Sequence, residues 1–136
     1  MTTRALLVVL GLLCLLSHRG TAATATPTTT LTFSAAADTY VDSSGASKNF
    51  GTAKTLIADA SPVKVTYLRF VVSGVMAPFS VRTARLRLTA GSSSTAASAS
   101  GGAVRTIVGA NLGWSEAATS YASRPGLDGP TLALAG

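Results

Sequence analysis

The arrangement of apolar and polar side chains predicts two well-defined β-strands. Residues 83–90 alternate strictly, with polar or charged side chains between the apolar residues Ala84, Leu86, Leu88 and Ala90. Residues 65–72 also alternate, and their apolar side consists of Leu68, Phe70 and Val72. A period of two indicates a strand with one face in water and the other against a core. This assignment puts Tyr67 and Arg69 on the wet face, unless a second sheet partly buries either of them.

Shorter runs rich in β-branched and aromatic residues recur along the chain, separated by clusters of Gly, Ser, Pro and Asn. They predict weaker strands at residues 31–35, 39–41, 55–58, 104–108 and 132–135. The connections are a long loop at 42–51, a tight turn at 59–62, a flexible low-complexity segment at 91–102 and an irregular segment at 115–130. No segment after residue 25 carries a helical stripe. This spacing predicts an all-β fold, a sandwich or a barrel.

The first 25 residues have the three parts of a secretory signal peptide. Arg4 gives a positive start, residues 5–16 are an unbroken apolar run, and residues 20–25 are small. The apolar run is shorter than the ~20 residues of a membrane-spanning helix, and an uncleaved anchor is the alternative. Cleavage is expected after Ala23 or Ala25. The predicted organisation is a signal peptide at 1–23, a Thr/Pro linker at 24–30 and a β-sandwich domain at 31–136, secreted and free of the membrane after cleavage.

The leader also contains the only cysteine and the only histidine, Cys14 and His18. Without them the mature chain has no thiolate or imidazole for nucleophilic catalysis, and no Cys or His ligand for zinc. The sequence has no glycine-rich phosphate-binding motif. Five carboxylates remain, and no pair among them has a spacing that indicates a glycosidase. The sequence therefore predicts a non-catalytic domain.

The charge balance of the chain is basic. It has 11 basic and 5 acidic residues, and loss of Arg4 and Arg19 with the leader leaves 9 against 5, a net charge of +4. Such a field attracts acidic partners, and the absence of a run of Lys or Arg argues against nucleic acid. Asp38 and Asp42 flank a predicted strand beside a carbonyl-rich loop, which makes them candidate ligands of a structural calcium ion. The alternative is that both cap turns. No other cofactor is expected.

Aromatic and basic side chains are the candidate binding residues. If the two main strands lie side by side, they bring together Tyr67, Arg69, Arg85 and Arg87. Arg side chains bind carboxylates through paired hydrogen bonds, and an aromatic ring packs on a sugar ring, so this surface suits an acidic polysaccharide. The alternative is an ordinary charged outer face. Trp114, the only tryptophan, is either a sugar-stacking side chain beside Tyr121 or a core residue whose ring N–H meets a carbonyl.

Six short segments occur in the order ADTYV (37–41), NFG (49–51), YLRF (67–70), ARLRL (84–88), WSE (114–116) and YASRP (121–125). In this order they resemble the DNRLRE domain, also described as carbohydrate-binding module family 96, over about residues 31–125. The resemblance implies a jelly-roll β-sandwich of exported microbial proteins, whose members with known ligands bind acidic polysaccharides such as alginate through basic and aromatic side chains. On this basis the predicted ligand-binding residues are Lys48, Lys54, Tyr67, Arg69, Arg85 and Arg87.

The sequence differs from this family at its end. Family members continue for several strands beyond the Arg-Pro motif, whereas here a strand only begins before Gly136. We therefore expect a sandwich that is incomplete at its C-terminal end, either as a fragment or with another chain or module completing the sheet, and that is poorly stable alone. Two alternatives to glycan binding stay open, namely a structural or adhesion β-domain and the leading fragment of an exported polysaccharide-active enzyme.

Overall fold

The computed structural model of the chain describes residues 27–94, 96 and 101–135. The chain divides into two units after Leu31, and in the first unit the described residues 27–31 form neither helix nor strand. The predicted signal peptide and the start of the predicted linker lie outside the described residues. Within the described part of the chain, no helix has the length and apolar character needed to cross a membrane.

The regular elements of the described part of the second unit, which begins at Thr32, are short strands and 3-10 turns, and long irregular segments connect them. The strands in chain order are β1 (Ala37–Asp42), β2 (Asp59–Ala60), β3 (Val63–Arg69), β4 (Gly102–Arg105) and β5 (Thr131–Ala135). Two short 3-10 turns occur at Ser43–Gly45 and Gly109–Gly113. The prediction of an all-β fold is confirmed, and the two small antiparallel sheets are consistent with a β-sandwich.

The first sheet has the order β1-β3-β2, and both of its pairings are antiparallel. β1 and β3 are rich in Val, Thr and Tyr, which favour the extended backbone of a strand. Their register places Thr39 opposite Tyr67 and Val41 opposite Val65. The predicted strand at 39–41 therefore exists and is longer than expected, while the strand predicted at 65–72 begins at Val63 and ends at Arg69.

The core lies on one face of this sheet. Along β1 every second residue is buried, and the buried apolar residues of the described chain are Ala37, Val41 and Tyr67. The face assignment for residues 65–72 is wrong, because Tyr67 is 2% exposed whereas Phe70 and Val72 are 39% and 61% exposed. Alternation shows that a strand has two faces. It does not show which face is buried when, as here, both faces carry large apolar side chains. The burial of Tyr67, which the sequence left as an alternative, is what the structure shows.

The second sheet consists of β4 and β5, which pair antiparallel with a bulge between Val104 and Arg105. Ala103 lies opposite Leu134, and Leu134 is largely exposed. The strand predicted at 132–135 is confirmed within β5. The strand predicted at 104–108 begins two residues earlier and ends at Arg105.

The strand predicted at residues 83–90 is absent. These residues belong to no strand, and their side chains are exposed. The strands predicted at 31–35 and 55–58 are absent as well. Alternation makes a segment suitable for a sheet, but a strand forms only where a neighbour satisfies its backbone groups. No strand of the described chain pairs with residues 83–90.

Candidate functional site

The end of β3 meets a half-buried tryptophan that directly follows the 3-10 turn Gly109–Gly113. The ring of Tyr67 is tilted at 55° against the indole of Trp114, with 5.9 Å between the ring centroids. The guanidinium carbon of Arg69 lies 5.4 Å from the indole centroid, within the range of a cation–π contact. The same guanidinium donates a hydrogen bond of 3.1 Å to the carbonyl oxygen of Trp114. Residues 67 and 69 share one face of β3, and both of their side chains contact Trp114.

Tyr67 also contacts the segment that contains Pro125. Its hydroxyl donates a buried hydrogen bond of 3.0 Å to the carbonyl oxygen of Pro125, which is itself buried. Burial raises the pKa of the Tyr67 hydroxyl above its ordinary value, because the charged phenolate would lose its hydration. Next to Pro125, the guanidinium of Arg124 stacks 3.7 Å from the ring centroid of Tyr121 and donates to the Tyr121 carbonyl. Both arginines of the site are thus held by an aromatic ring and a carbonyl.

The loop that carries Trp114 is attached to the loop after β1 by Asn49. The Asn49 side-chain amide donates to the carbonyl oxygens of Glu116 at 2.7 Å and Thr119 at 2.8 Å. Its Oδ1 accepts a hydrogen bond of 3.2 Å from the backbone N–H of Gly51. A carboxylate oxygen of Glu116 accepts the backbone N–H of Asp38 at 3.2 Å, which ties the same loop to β1. These contacts replace regular secondary structure in positioning residues 114–120.

Close packing at Gly51 strengthens this attachment. A Cβ atom at Gly51 would lie 2.8 Å from Cγ of Glu116, and closer still to the Glu116 carbonyl oxygen, so any larger residue would displace the loop. The neighbouring Phe50 stacks on Tyr40 of β1, with 4.3 Å between the ring centroids. The segment Asn49-Phe50-Gly51 therefore contacts β1 through Phe50 and the Trp114 loop through Asn49 and Gly51.

A shallow groove of about 350 Å³ runs along this loop. Among the residues that line it are Asn111, Trp114, Thr119, Ser123, Arg124 and Pro125. Arg124 and Pro125 also line a second hollow of about 450 Å³ together with Gly126 and Leu127. The groove thus combines an indole, a guanidinium, an amide and hydroxyl groups. This set can pack on an apolar sugar face while it hydrogen-bonds hydroxyl or carboxylate groups.

One side of the groove is fixed by Asp128. Its two carboxylate oxygens accept hydrogen bonds from the Asn111 side chain at 2.8 Å and from the Val108 backbone at 3.1 Å. These bonds, that from Asn111 first, lower the pKa of Asp128 below its ordinary value because they stabilise the charged form. Asn111 in turn accepts the backbone N–H of Gly126 at 3.1 Å. The turn before Trp114 and the segment after Pro125 are therefore linked through one amide.

Five of the six short sequence segments meet around Trp114, since contacts join 37–41, 49–51, 67–70, 114–116 and 121–125. A family model for carbohydrate-binding module family 96 matches residues 29–136. The chain belongs to carbohydrate-binding module family 96. Searches of curated proteins and of solved structures find no match. Membership confirms the resemblance and implies a polysaccharide partner, and a module of this kind is not itself catalytic.

The structure separates the six residues for which ligand contact was predicted in this family 96 module. Arg69 contacts Trp114, which lines the groove, but is not itself among the lining residues. Tyr67 is buried against Trp114, so its ring presents no free face. The others are exposed and lie elsewhere, in the loop between β1 and β2 or in the unpaired segment 83–90; they are Lys48, Lys54, Arg85 and Arg87. The expected adjacency of the two main strands is wrong, because residues 83–90 form no strand.

Arg124 and Asn111 were not among the predicted site residues of the family 96 module. The Arg-Pro segment carried the family resemblance, and it was the available signal for Arg124. Asn111 has no such signal, because its place at the groove depends on Asp128, 17 residues away in sequence. Trp114 is half-buried: Tyr67 and Arg69 cover part of the ring and the rest lines the groove, and its ring N–H meets no carbonyl in the described part of the chain. Sugar stacking by Trp114 stays a prediction.

Of the two calcium candidates, Asp38 donates its backbone N–H to Glu116, and Asp42 lies at a turn. Asp42 caps the turn Ser43–Gly45, because its Oδ1 accepts the backbone N–H and the hydroxyl of Ser44 at 2.8 and 2.6 Å. Hydrogen bonds from Ser44, that from the hydroxyl first, lower the Asp42 pKa, and Lys64 lies 3.7 Å from its other oxygen. The described residues contain no group of three or more His, Cys, Asp or Glu side chains that could hold a metal ion. The turn-capping alternative is what the structure shows for Asp42.

Proposed function

We propose that this chain is a secreted, non-catalytic module that binds an acidic polysaccharide, such as alginate, in the groove beside Trp114. The supporting observation is the pair formed by the Trp114 indole and the Arg69 guanidinium, which places an aromatic side chain and a fixed cation at one point. Sugar rings have an apolar face and uronic acids add a carboxylate, so a polyuronate matches both members of the pair.

Two arginines, Arg124 in the lining of the groove and Arg69 against Trp114, keep hydrogen-bonding capacity for a ligand. A guanidinium has five N–H donors, and the described contacts of Arg69 and Arg124 each use one of them, on a main-chain carbonyl. Both residues are exposed. Because the aromatic and carbonyl contacts already restrict these side chains, carboxylate binding costs less conformational entropy than it would at a free arginine. This arrangement favours bidentate binding of carboxylates.

The charge distribution around the site also favours an acidic ligand. From residue 60 to residue 115 the sequence contains six basic and no acidic residues. The carboxylates of Glu116 and Asp128 already accept N–H groups of the domain. A polyanion therefore meets a positive field as it approaches the groove, which raises the rate of association at low salt.

Isothermal titration of the purified chain with alginate and with a neutral glucan tests the proposal. We expect alginate binding that weakens with salt, and about tenfold or greater loss of affinity in Arg69→Gln, as expected when a hydrogen-bonded charge pair is removed. Arg82→Gln is the matched control, because Arg82 is exposed and, unlike Arg69, makes no contact with Trp114 in the described part of the chain. Trp114 fluorescence verifies that the groove is intact in both variants.

Absence of heat with any acidic glycan at high protein concentration would contradict the proposal and favour a structural or adhesion role. Equal heats with alginate and the neutral glucan would contradict the acidic specificity alone. The prediction that Lys48, Lys54, Arg85 and Arg87 contact glycan is tested in the same titration with single Gln variants.

Secretion is tested separately from binding. The proposed signal peptide occupies residues 1–23, with small residues before either cleavage position. We expect the chain expressed in a bacterial host to be recovered outside the cytoplasm with its N-terminus directly after Ala23 or Ala25. Intact-mass measurement and N-terminal sequencing check this, and an intact Met1 on the recovered protein would contradict it.

A further inference from the structure

Residues 83–90 combine the sequence of a strand with a backbone that no strand contacts. None of the hydrogen bonds between described residues involves the main chain of this segment. Its alternating apolar side chains are open to solvent, with Leu86 45% and Leu88 64% exposed. Eight consecutive unpaired residues with a regular apolar side form a template for an added strand.

The other side of the segment is positively charged. Arg85 and Arg87 alternate with the leucines and are exposed, and neither makes a hydrogen bond or an ion pair in the described part of the chain. Arg82 precedes them, and no carboxylate occurs between residues 60 and 115 to neutralise the three. The segment therefore has an apolar face, a cationic face and free main-chain groups.

These features discriminate among possible occupants. A second copy of the segment is disfavoured, because a pairing that joins the leucine sides brings Arg85 and Arg87 opposite like charges. A polysaccharide would use the arginines but neither the row of apolar side chains nor the unpaired main chain. A polypeptide strand that alternates apolar and acidic residues would use all three. We propose that residues 83–90 form the docking site for such an acidic strand of a partner protein, added by β-augmentation and separate from the Trp114 groove.

Fluorescence anisotropy with labelled synthetic peptides tests this proposal. The probe is an eight-residue peptide that alternates Glu and Val, and the controls are a peptide that alternates Lys and Val, a Glu/Val peptide with the two residue types in separate blocks, and the probe with N-methylated backbone. We expect only the alternating Glu/Val peptide to bind the purified chain. The double variant Arg85→Glu/Arg87→Glu is expected to lose that binding by about tenfold or more and to bind the Lys/Val peptide instead.

The matched control for the variant is Arg82→Glu/Arg105→Glu, which changes the net charge equally at residues outside the segment. Equal binding of the block peptide or the N-methylated peptide would overturn the proposal, because attraction without strand pairing would then suffice. Loss of alginate binding in Arg85→Glu/Arg87→Glu, with no peptide binding in the wild type, would assign the segment to glycan instead. Alginate binding through Arg69 is measured on the same samples, so failure of either proposal is seen independently of the other.

Discussion

The Tyr67 hydroxyl is a buried polar group that reaches from β3 to the groove wall. It donates to the Pro125 carbonyl, and both residues are buried, so neither partner has water as a replacement. A buried carbonyl that loses its donor costs more than an exposed one, because its desolvation is no longer compensated. In the proposed binding site, we therefore expect Tyr67 to position Pro125 and Trp114 rather than to touch the ligand.

Replacing Tyr67 by Phe is expected to lower the free energy of unfolding by about 1–2 kcal/mol, because the Pro125 carbonyl is left without its donor. Urea unfolding followed by Trp114 fluorescence measures the change. Tyr40→Phe is the matched control, because the Tyr40 ring also packs in the domain, against Phe50, while its hydroxyl makes no hydrogen bond in the described chain. An equal loss of stability in both variants would show that the ring environment, and not the hydrogen bond, is responsible.

The same residue predicts an alkaline sensitivity. Burial raises the folded-state pKa of Tyr67 above its unfolded value, so its contribution to stability is complete below the unfolded value of about 10. That contribution is lost as the pH rises through the raised pKa. The Phe variant lacks this loss and is expected to have the shallower decline of stability at high pH.

At the level of elements, the groove is built from turns and loops rather than from strands. Its attachments are one or two hydrogen bonds at each of three side chains: Asn49 donates, and Glu116 and Asp128 accept. Each of these side chains joins two separate segments. Paired strands are joined by many backbone hydrogen bonds, whereas the loss of one or two hydrogen bonds here separates two segments. The loops are therefore the part of the domain that is most sensitive to a change in one titratable group.

Acid is expected to loosen the groove through Asp128. Its folded-state pKa is lowered by the Asn111 and Val108 hydrogen bonds, so the stabilisation is present above the ordinary carboxyl value of about 4 and is lost as the pH falls through the lowered pKa. NMR titration is expected to show the Asp128 midpoint below that value, with the Val108 and Gly126 amide signals shifting at the same pH. Asp128→Asn removes the transition at both amides.

The control for this titration is Asp59→Asn. Asp59 accepts the Ser61 backbone N–H in the turn between β2 and β3, away from the groove. An unchanged acid transition at Val108 in the Asp128 variant, or its disappearance in the Asp59 variant, would contradict the assignment.

Sequence patterns predicted strands whose own residues favour an extended backbone. They failed where strand formation depends on a pairing partner elsewhere in the chain. The all-β class and the strands within β1, β3 and β5 follow from β-branched and aromatic runs between turns. Residues 83–90 carry the most regular alternation of all, yet they form no strand, because pairing depends on a second segment that no local pattern reveals. The site shows the same limit, since Arg69 was found in a strand pattern while Asn111 depends on a distant carboxylate.

At the scale of the whole molecule, apolar burial is small. The buried apolar residues of the described chain are Ala37, Val41 and Tyr67, whereas large apolar side chains from Phe70 to Leu88 are open to solvent. Burial of apolar area is the main favourable contribution to folding. The stability of the domain therefore depends on hydrogen bonds between loops more than that of a domain with a larger apolar core. The exposed apolar side chains of residues 70–90 favour association with other molecules.

Replacing Leu86 and Leu88 together by Ser is expected to reduce binding of the dye ANS and association at high concentration, because the pair contributes to the exposed apolar surface. The free energy of unfolding is expected to change by no more than about 0.5 kcal/mol for each, as for other exposed positions. ANS fluorescence, analytical ultracentrifugation and urea unfolding measure the three quantities.

Arg85→Ser/Arg87→Ser is the matched control, since it changes the other side of the same segment and keeps the leucines. The expected result there is unchanged or increased ANS binding. Strong destabilisation of the Leu86→Ser/Leu88→Ser variant would show that the leucines are packed in solution, contrary to their exposure in the structure.

The attachment of Glu116 to β1 has a consequence for how the domain is made. The two bonded residues are 78 positions apart, and the Tyr67–Pro125 and Asn49–Thr119 contacts span 58 and 70 positions. Long-range contacts of this kind form slowly, because the chain loses the conformational entropy of closing a large loop before the contact stabilises the structure. At ribosomal rates of about 5–20 residues per second, β1 waits roughly 4 to 16 s for Glu116 to be synthesised. The groove is therefore among the last parts of the domain to assemble.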